Sequence, residues 1–387
     1  MEVQVAGRGG VPTSGVSAVA LSVRTKTNAP ASVYLWPSGG TRTPSVAMKV
    51  PAGGSTRSTL VVPLGQDGKI SLASSLGAQW ISADLLGYYQ QYGGMLFNPT
   101  EPRRVVTNVV IAANKTKTFR LGGRNSVPAD GSGAFALTVS TSGATKSGTL
   151  RVYPAGSTEP ITDLVSYRAN ARVSSSVITA SRRDGSIIIK NVNATSAVQV
   201  TIDINGWYGT SGLGHTGTKP KRILDTTSGL GATGRVTAGR SVTFAVANQL
   251  GIPANAKAVA LQVLAVDPVT GTAARFKSTS LGTSSGYQVT VPSSSSVAQY
   301  VVAPVGVNGK VSLTGLTGSS NYRADVVGWW TPVTTQYVLS SALSAPAVLV
   351  PTKPTITGRV RPLALAVGRS VALQELKAGK WVKVGTA

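Results

Sequence analysis

The sequence predicts an all-β protein: tandem β-sandwich modules of about 118 residues with jelly-roll or Greek-key connections, and a shorter β-rich tail. Three observations predict it. A string of the form Asp-x-x-Gly-aromatic-aromatic occurs three times, as Asp84-Leu-Leu-Gly-Tyr-Tyr89, Asp203-Ile-Asn-Gly-Trp-Tyr208 and Asp325-Val-Val-Gly-Trp-Trp330. The aspartates stand 119 and 122 residues apart, an interval that fits globular modules and is far too long for solenoid repeats. Between the strings, apolar residues alternate with period two, β-branched residues are frequent, and turn signals recur about every ten residues. No stretch carries two amphipathic helical turns.

Each module carries an apolar residue followed by a proline ahead of an alternating strand. Val11-Pro12 precedes residues 18–23, Val127-Pro128 precedes 134–139, and Ile252-Pro253 precedes 258–263. Proline fixes the approach to a strand but cannot sit within its ladder. Next come residues 33–39, matched by 150–156; the counterpart near 274–278 has lost the proline and glycine. A hairpin signal follows. Asp67-Gly68, Asp184-Gly185 and Asn308-Gly309 separate apolar alternations, and such dipeptides favour tight turns with positive φ. The last strand of each module ends in the repeated string.

These landmarks place module 1 at residues 1–97, module 2 at 98–212 and module 3 at 213–333, with a Pro-rich linker over 334–352 and a further segment over 353–387. Module 3 begins Pro220-Lys-Arg-Ile-Leu-Asp-Thr226 and module 2 begins Pro102-Arg-Arg-Val-Val-Thr-Asn108. By spacing, the counterpart in module 1 falls roughly fifteen residues before Met1. Module 1 is therefore expected to lack its first strand, which would come from upstream sequence or from a partner. The final segment reads as a hairpin closed by Ala378-Gly379, with too few strands to close a core.

Composition narrows the functional classes. The net charge of +24 arises from 37 basic against 13 acidic residues and is spread over the whole chain. A dedicated nucleic-acid site concentrates its basic residues on one face, so a nucleic-acid partner is not expected. Diffuse positive charge suits polyanionic neighbours such as anionic cell-wall polymers. With no cysteine, disulfides and thiolate metal sites are excluded. No apolar run reaches the roughly 20 residues that span a bilayer, so membrane insertion is not expected. The N-terminus has no signal-peptide pattern, yet the Gly-, Ser-, Thr-, Val- and Ala-rich composition, only 13% charged, looks exported. An excerpt of a longer extracellular or cell-surface protein reconciles the two.

The order Arg222-Ile-Leu-Asp-Thr226, Gly251-Ile-Pro-Ala-Asn-Ala256, Pro304-Val-Gly-Val-Asn-Gly-Lys-Val-Ser-Leu313 and Ala324-Asp-Val-Val-Gly-Trp-Trp330 resembles a tandem β-module of large secreted and surface proteins of actinobacteria. The resemblance covers about residues 1–335 and is closest in module 3; module 2 departs at residues 104–108, where Arg-x-Leu-Asp-Thr is the pattern. The tail is similar to the opening strands of bacterial immunoglobulin-like domains, which implies a truncated immunoglobulin-like domain over 353–387. The resemblance implies export and a non-catalytic accessory role, and carries no family-wide ligand.

Candidate chemistry is sparse. His215 is the only histidine and reads as part of a Gly-rich linker, which disfavours a Ser-His-Asp triad. Glu2, Glu101, Glu159 and Glu375 are scattered and form no glycosidase pair. No catalytic, cofactor-binding or metal residue is assigned, and no cofactor is expected. The repeated residues Asp84, Gly87, Asp203, Gly206, Asp325 and Gly328 are expected to be structural, with the aspartates accepting turn amides or pairing with Arg104 and Arg222. Tyr89, Trp207, Tyr208, Trp329 and Trp330 are candidate glycan contacts, although neighbouring residues of a strand face opposite ways, so at most one of each pair is exposed. The leading expectation is a non-catalytic, rod-like repeat array acting as spacer, surface-assembly or adhesion segment, partnered by other domains or subunits of the same assembly. The alternatives are a carbohydrate-binding or wall-binding module, and a subunit assembled by strand addition.

Overall fold

The computed structural model describes residues 1–387 apart from 53, 77–79, 91–93, 270, 280–283, 293–295, 334–337, 344–355, 362–371, 378–379 and 387, and describes side chains only up to Val333. The chain divides into two compact units, Met1–Val333 and Thr334–Ala387. Every regular element among the described residues is a strand.

The first unit holds three sandwiches. Module 1 contributes β1 (Glu2–Gln4), β2 (Val16–Lys26), β3 (Ala31–Pro37), β4 (Met48–Val50), β5 (Ser55–Pro63), β6 (Lys69–Ser74) and β7 (Trp80–Gln90). Module 2 contributes β8 (Leu96–Ile111), β9 (Thr116–Arg120), β10 (Ala134–Ser142), β11 (Gly148–Pro154), β12 (Val165–Tyr167), β13 (Val173–Ala180), β14 (Ser186–Asn191) and β15 (Val198–Gly209). Because β8 opens at Leu96, Phe97 belongs to module 2. Module 3 contributes β16 (Leu213–Asp225), β17 (Val236–Thr237), β18 (Ser241–Ala245), β19 (Ala258–Val266), β20 (Thr272–Ser278), β21 (Val289–Val291), β22 (Val297–Pro304), β23 (Lys310–Thr317) and β24 (Ser319–Pro332).

Sheet order identifies the connections as jelly roll. In module 2 the sheets run β13-β10-β15-β8 and β12-β11-β14-β9, so the first strand pairs with the last and the second with the seventh. Module 3 repeats this with β22-β19-β24-β16 and β18-β23-β20-β21, and β8 pairs with β16 at Phe97 and Leu213, so the two inner sheets are continuous. Module 1 has β5-β2-β7 and β1-β6-β3-β4. The strand it lacks, among the described residues, is the one that pairs β15 in module 2 and β24 in module 3.

The hairpin dipeptides take the backbone they demand: Gly68, Gly185 and Gly309 have φ of 73°, 75° and 72°. Central strands are buried on both faces, as in β19, where every residue from 258 to 265 is buried. Sheet-on-sheet packing gives modules 2 and 3 separate apolar cores.

The core of module 1 is continuous with residues of both neighbours: Phe97, Ala136, Ile178 and Tyr208 from module 2, and Ala258, Tyr300, Val302 and Trp330 from module 3. This corrects the rod-like expectation. A rod gives each module only its sequence neighbours, whereas here module 1 also packs against module 3, because the apolar ends of all three inner sheets are buried together.

In the second unit, β25 (Val338–Leu343) pairs antiparallel with β26 (Ile356–Arg361), and β27 (Ala372–Lys377) with β28 (Lys380–Thr386). The segment expected as linker thus contains a paired strand. Most of its proline-rich part, and the Ala378-Gly379 turn, lie outside the described residues.

Candidate functional site

The repeated string ends β7, β15 and β24, and each copy crosses a bulge. Leu85, Ile204 and Val326 pair before it and Gly87, Gly206 and Gly328 after it, so one residue per copy is left out of register. The bulge re-aims the two aromatics that follow.

The first aromatic stays with its own sandwich. Trp207 packs on the module 2 core and Trp329 on the module 3 core, while Tyr88 is 40% exposed. The second aromatics meet at a hub. Tyr89 and Tyr208 bring their hydroxyl oxygens to 2.7 Å, and Tyr89 lies edge-on to Trp330 with ring centres 6.5 Å apart. Phe97 fills the space between Tyr208 and Trp330 at 4.8 and 4.7 Å. His215 stacks on Tyr89 at 4.1 Å and contacts Trp330 at 5.0 Å. Such ring pairs contribute about 0.5–1.5 kcal/mol each beyond the area they bury.

His215 is therefore not a linker residue. It sits in β16, opposite Trp330, with both ring nitrogens buried and unpartnered among the described residues. Burial lowers its pKa from 6.5 to about 3. The flanking Gly214 and Gly217 serve close approach rather than flexibility, since a Cβ there would press on Val333 and Pro63. Burial likewise raises the Tyr89 hydroxyl to about 12. The glycines of the string make room for rings: a Cβ on Gly206 would overlap Phe97, and one on Gly328 would lie 2.5 Å from His215 Nε2.

The aspartates hold arginines. Arg104 reaches Asp203 through Nε (3.1 Å) and Nη2 (3.4 Å), and Arg222 reaches Asp325 through Nε (2.6 Å) and Nη2 (3.3 Å). Both carboxylates are buried, with side chains 0% and 4% exposed. Burial pushes the Asp203 carboxyl up, and Arg104 and the Tyr287 amide pull it back down. Among the described residues no first-strand arginine reaches Asp84. It is 39% exposed and is held by Arg57 of β5, whose Nη1 reaches Asp84 Oδ2 at 3.2 Å and Ser22 Oγ at 3.0 Å.

Contacts between modules run in a cycle. The Tyr287 amide of module 3 donates to Asp203, and its ring lies 4.5 Å from the Arg104 guanidinium. Buried Gln288 and Gln299 extend this seam to Asn205 and Ser176. Ser22 of module 1 donates to the Asp163 carbonyl of module 2, and Gln262 of module 3 to the Ala47 carbonyl of module 1. Sequence reasoning missed Arg57, Phe97, the hub role of His215 and these polar seams. One available signal was that Phe97 precedes Arg104, and His215 precedes Arg222, by the same seven residues.

Among the described residues no group of three or more His, Asp or Glu side chains is placed to hold a metal, and no helix is long and apolar enough to cross a membrane. The five candidate glycan residues are the hub rings and the core-packed tryptophans; among the described residues the exposed large aromatics are Trp80 (53%) and Tyr88.

No family model matches the sequence, and no curated protein sequence matches it. Two solved structures are similar to this chain at a low level. One, described as a triple jelly roll fold and turret assembly, has 12% identity and a TM-score of 0.17 over 84% of this chain and 82% of that one. The other, the atomic structure of Sulfolobus Turreted Icosahedral Virus, has 10% identity and a TM-score of 0.17 over 87% and 83%. At this level the likeness says nothing about function.

Proposed function

We propose that this chain is a non-catalytic assembly segment of a larger exported protein, acting at the cell surface as a block that holds other domains or subunits in place. One observation carries the reading: the repeated string is spent on fastening in modules 2 and 3, and in module 1 its second aromatic is as well. Its aspartates hold arginines and its second aromatics close the junction between sandwiches. A reactive or ligand-binding surface would leave such groups open; here the hub rings are packed and the histidine nitrogens are enclosed. The resemblance to actinobacterial surface modules supports the same reading, and the +24 charge supports association with anionic wall polymers, weakened by salt.

Unfolding of the 387-residue chain tests it. A fastened block loses all three sandwiches in one transition, followed by Trp fluorescence and circular dichroism together. Separate transitions for the three would mean independent modules, hence a flexible spacer. A glycan array with Trp207→Ala and Trp329→Ala tests the carbohydrate-binding alternative. Specific binding that these substitutions abolish without lowering stability would favour it.

A further inference from the structure

Modules 2 and 3 complete their inner sheets with a first strand in one shared register. Phe97 stands opposite Tyr208 and Arg104 opposite Asp203; His215 stands opposite Trp330 and Arg222 opposite Asp325. In both strands a ring is followed after five positions by a proline, Pro102 or Pro220, and after seven by the arginine. The pattern is ring-x4-Pro-x-Arg. Nowhere else in the 387 residues does Phe, Tyr, Trp or His stand seven positions before an arginine.

At β7 four features match what these strands occupy elsewhere. The outer edge of β7 pairs with no strand among the described residues, and its residues are half-exposed where those of β15 and β24 are buried. A Cβ on Gly87 would meet nothing within 4 Å, whereas at Gly206 and Gly328 it would strike the ring of the first strand. Asp84 is 39% exposed, against 0% and 4% for Asp203 and Asp325. The fourth is a cavity of about 230 Å³ lined by Leu86, Val152, Thr162 and Leu164. The matching position in module 3, lined by Val327, Leu35, Ser45 and Ala47, contains Pro220 and retains only about 10 Å³.

We propose that the outer edge of β7 is a strand-acceptor site, and that its occupant is an extended segment of the form ring-x4-Pro-x-Arg from a second polypeptide. The segment runs antiparallel to β7. Its ring covers Gly87 beside Tyr89 and completes the hub, its proline enters the cavity, and its arginine lies opposite Asp84. Main-chain hydrogen bonds along β7 supply affinity, and ring, proline and arginine supply register. Arg8 is exposed in the turn equivalent to that of Arg124, and a Cβ on the next residue, Gly9, would lie 3.6 Å from Leu85 of β7; Arg124 donates to the Val105 carbonyl of β8 at 2.8 Å. The proposal stands on the geometry around β7, including the module 2 residues that wall the cavity, and does not depend on export or wall association.

The probe is a labelled synthetic peptide with the sequence of residues 213–226, added to the 387-residue protein and followed by fluorescence anisotropy and amide hydrogen exchange. Saturable binding is expected, with new protection confined to Trp80–Gln90. A peptide carrying Arg222→Gln should bind about tenfold more weakly or worse, as loss of a charge-assisted pair requires. Gly87→Val should keep the melting behaviour of the parent, because the space is open, yet lose peptide binding by a similar factor. No saturation up to about 1 mM peptide overturns the proposal. So does binding that is indifferent to Gly87→Val and to the arginine, or protection that appears away from β7.

Discussion

Tyr89 and Tyr208 are 119 residues apart in sequence, and their hydroxyl oxygens lie 2.7 Å apart at the junction of modules 1 and 2. The bond joins the last strands of two sandwiches inside a cluster of rings from all three modules. Both hydroxyls are enclosed by that cluster. Tyr208→Phe should therefore cost about 1–3 kcal/mol, the penalty of an orphaned buried polar group. The double variant Tyr89→Phe, Tyr208→Phe should recover part of that loss. Urea unfolding of the singles and the double gives the coupling directly.

The ion pairs should not be equal in worth. Arg104→Ala leaves the Asp203 carboxylate fully buried and should cost about 3–5 kcal/mol. Arg57→Ala leaves Asp84, 39% exposed, able to recruit water, and should cost clearly less. Equal losses in chemical denaturation would contradict the burial difference between the modules.

His215 makes stability depend on pH. Its folded pKa of about 3 lies below the 6.5 of the free side chain, so between these values the unfolded chain binds the extra proton. The contribution is fully present above about pH 6.5, falls as pH drops through this window, and levels off near pH 3. Between about pH 7.5 and 4.5 the expected loss is about 2–3 kcal/mol. His215→Phe, which copies the Phe97 arrangement, should flatten this part of the profile in parallel denaturation titrations.

The glycines of the repeated string should separate by module. Gly206→Ala and Gly328→Ala force a methyl onto the ring of Phe97 or His215 and should cost about 1–3 kcal/mol. Gly87→Ala meets open space and should shift the melting temperature little. Differential scanning calorimetry of the three variants makes the comparison.

Much of the molecule could be read before any coordinate. The thrice-repeated string, the Asp-Gly and Asn-Gly turns and the period-two alternation define the modules, because strand and turn preferences are local. The same spacing predicts no module 1 counterpart of the strand carrying Arg104 and Arg222, and among the described residues no strand pairs the outer edge of β7. What the tertiary structure alone decided was how the sandwiches meet. Tyr89, Tyr208 and Trp330 look in sequence like exposable rings, and His215 among glycines looks like a linker. Their burial depends on neighbours more than a hundred residues away, which no local pattern encodes. The same holds for Arg57, whose pairing with Asp84 across Ser22 is set by strand register, and for the open edge of β7, which stands out only because the two equivalent edges are filled.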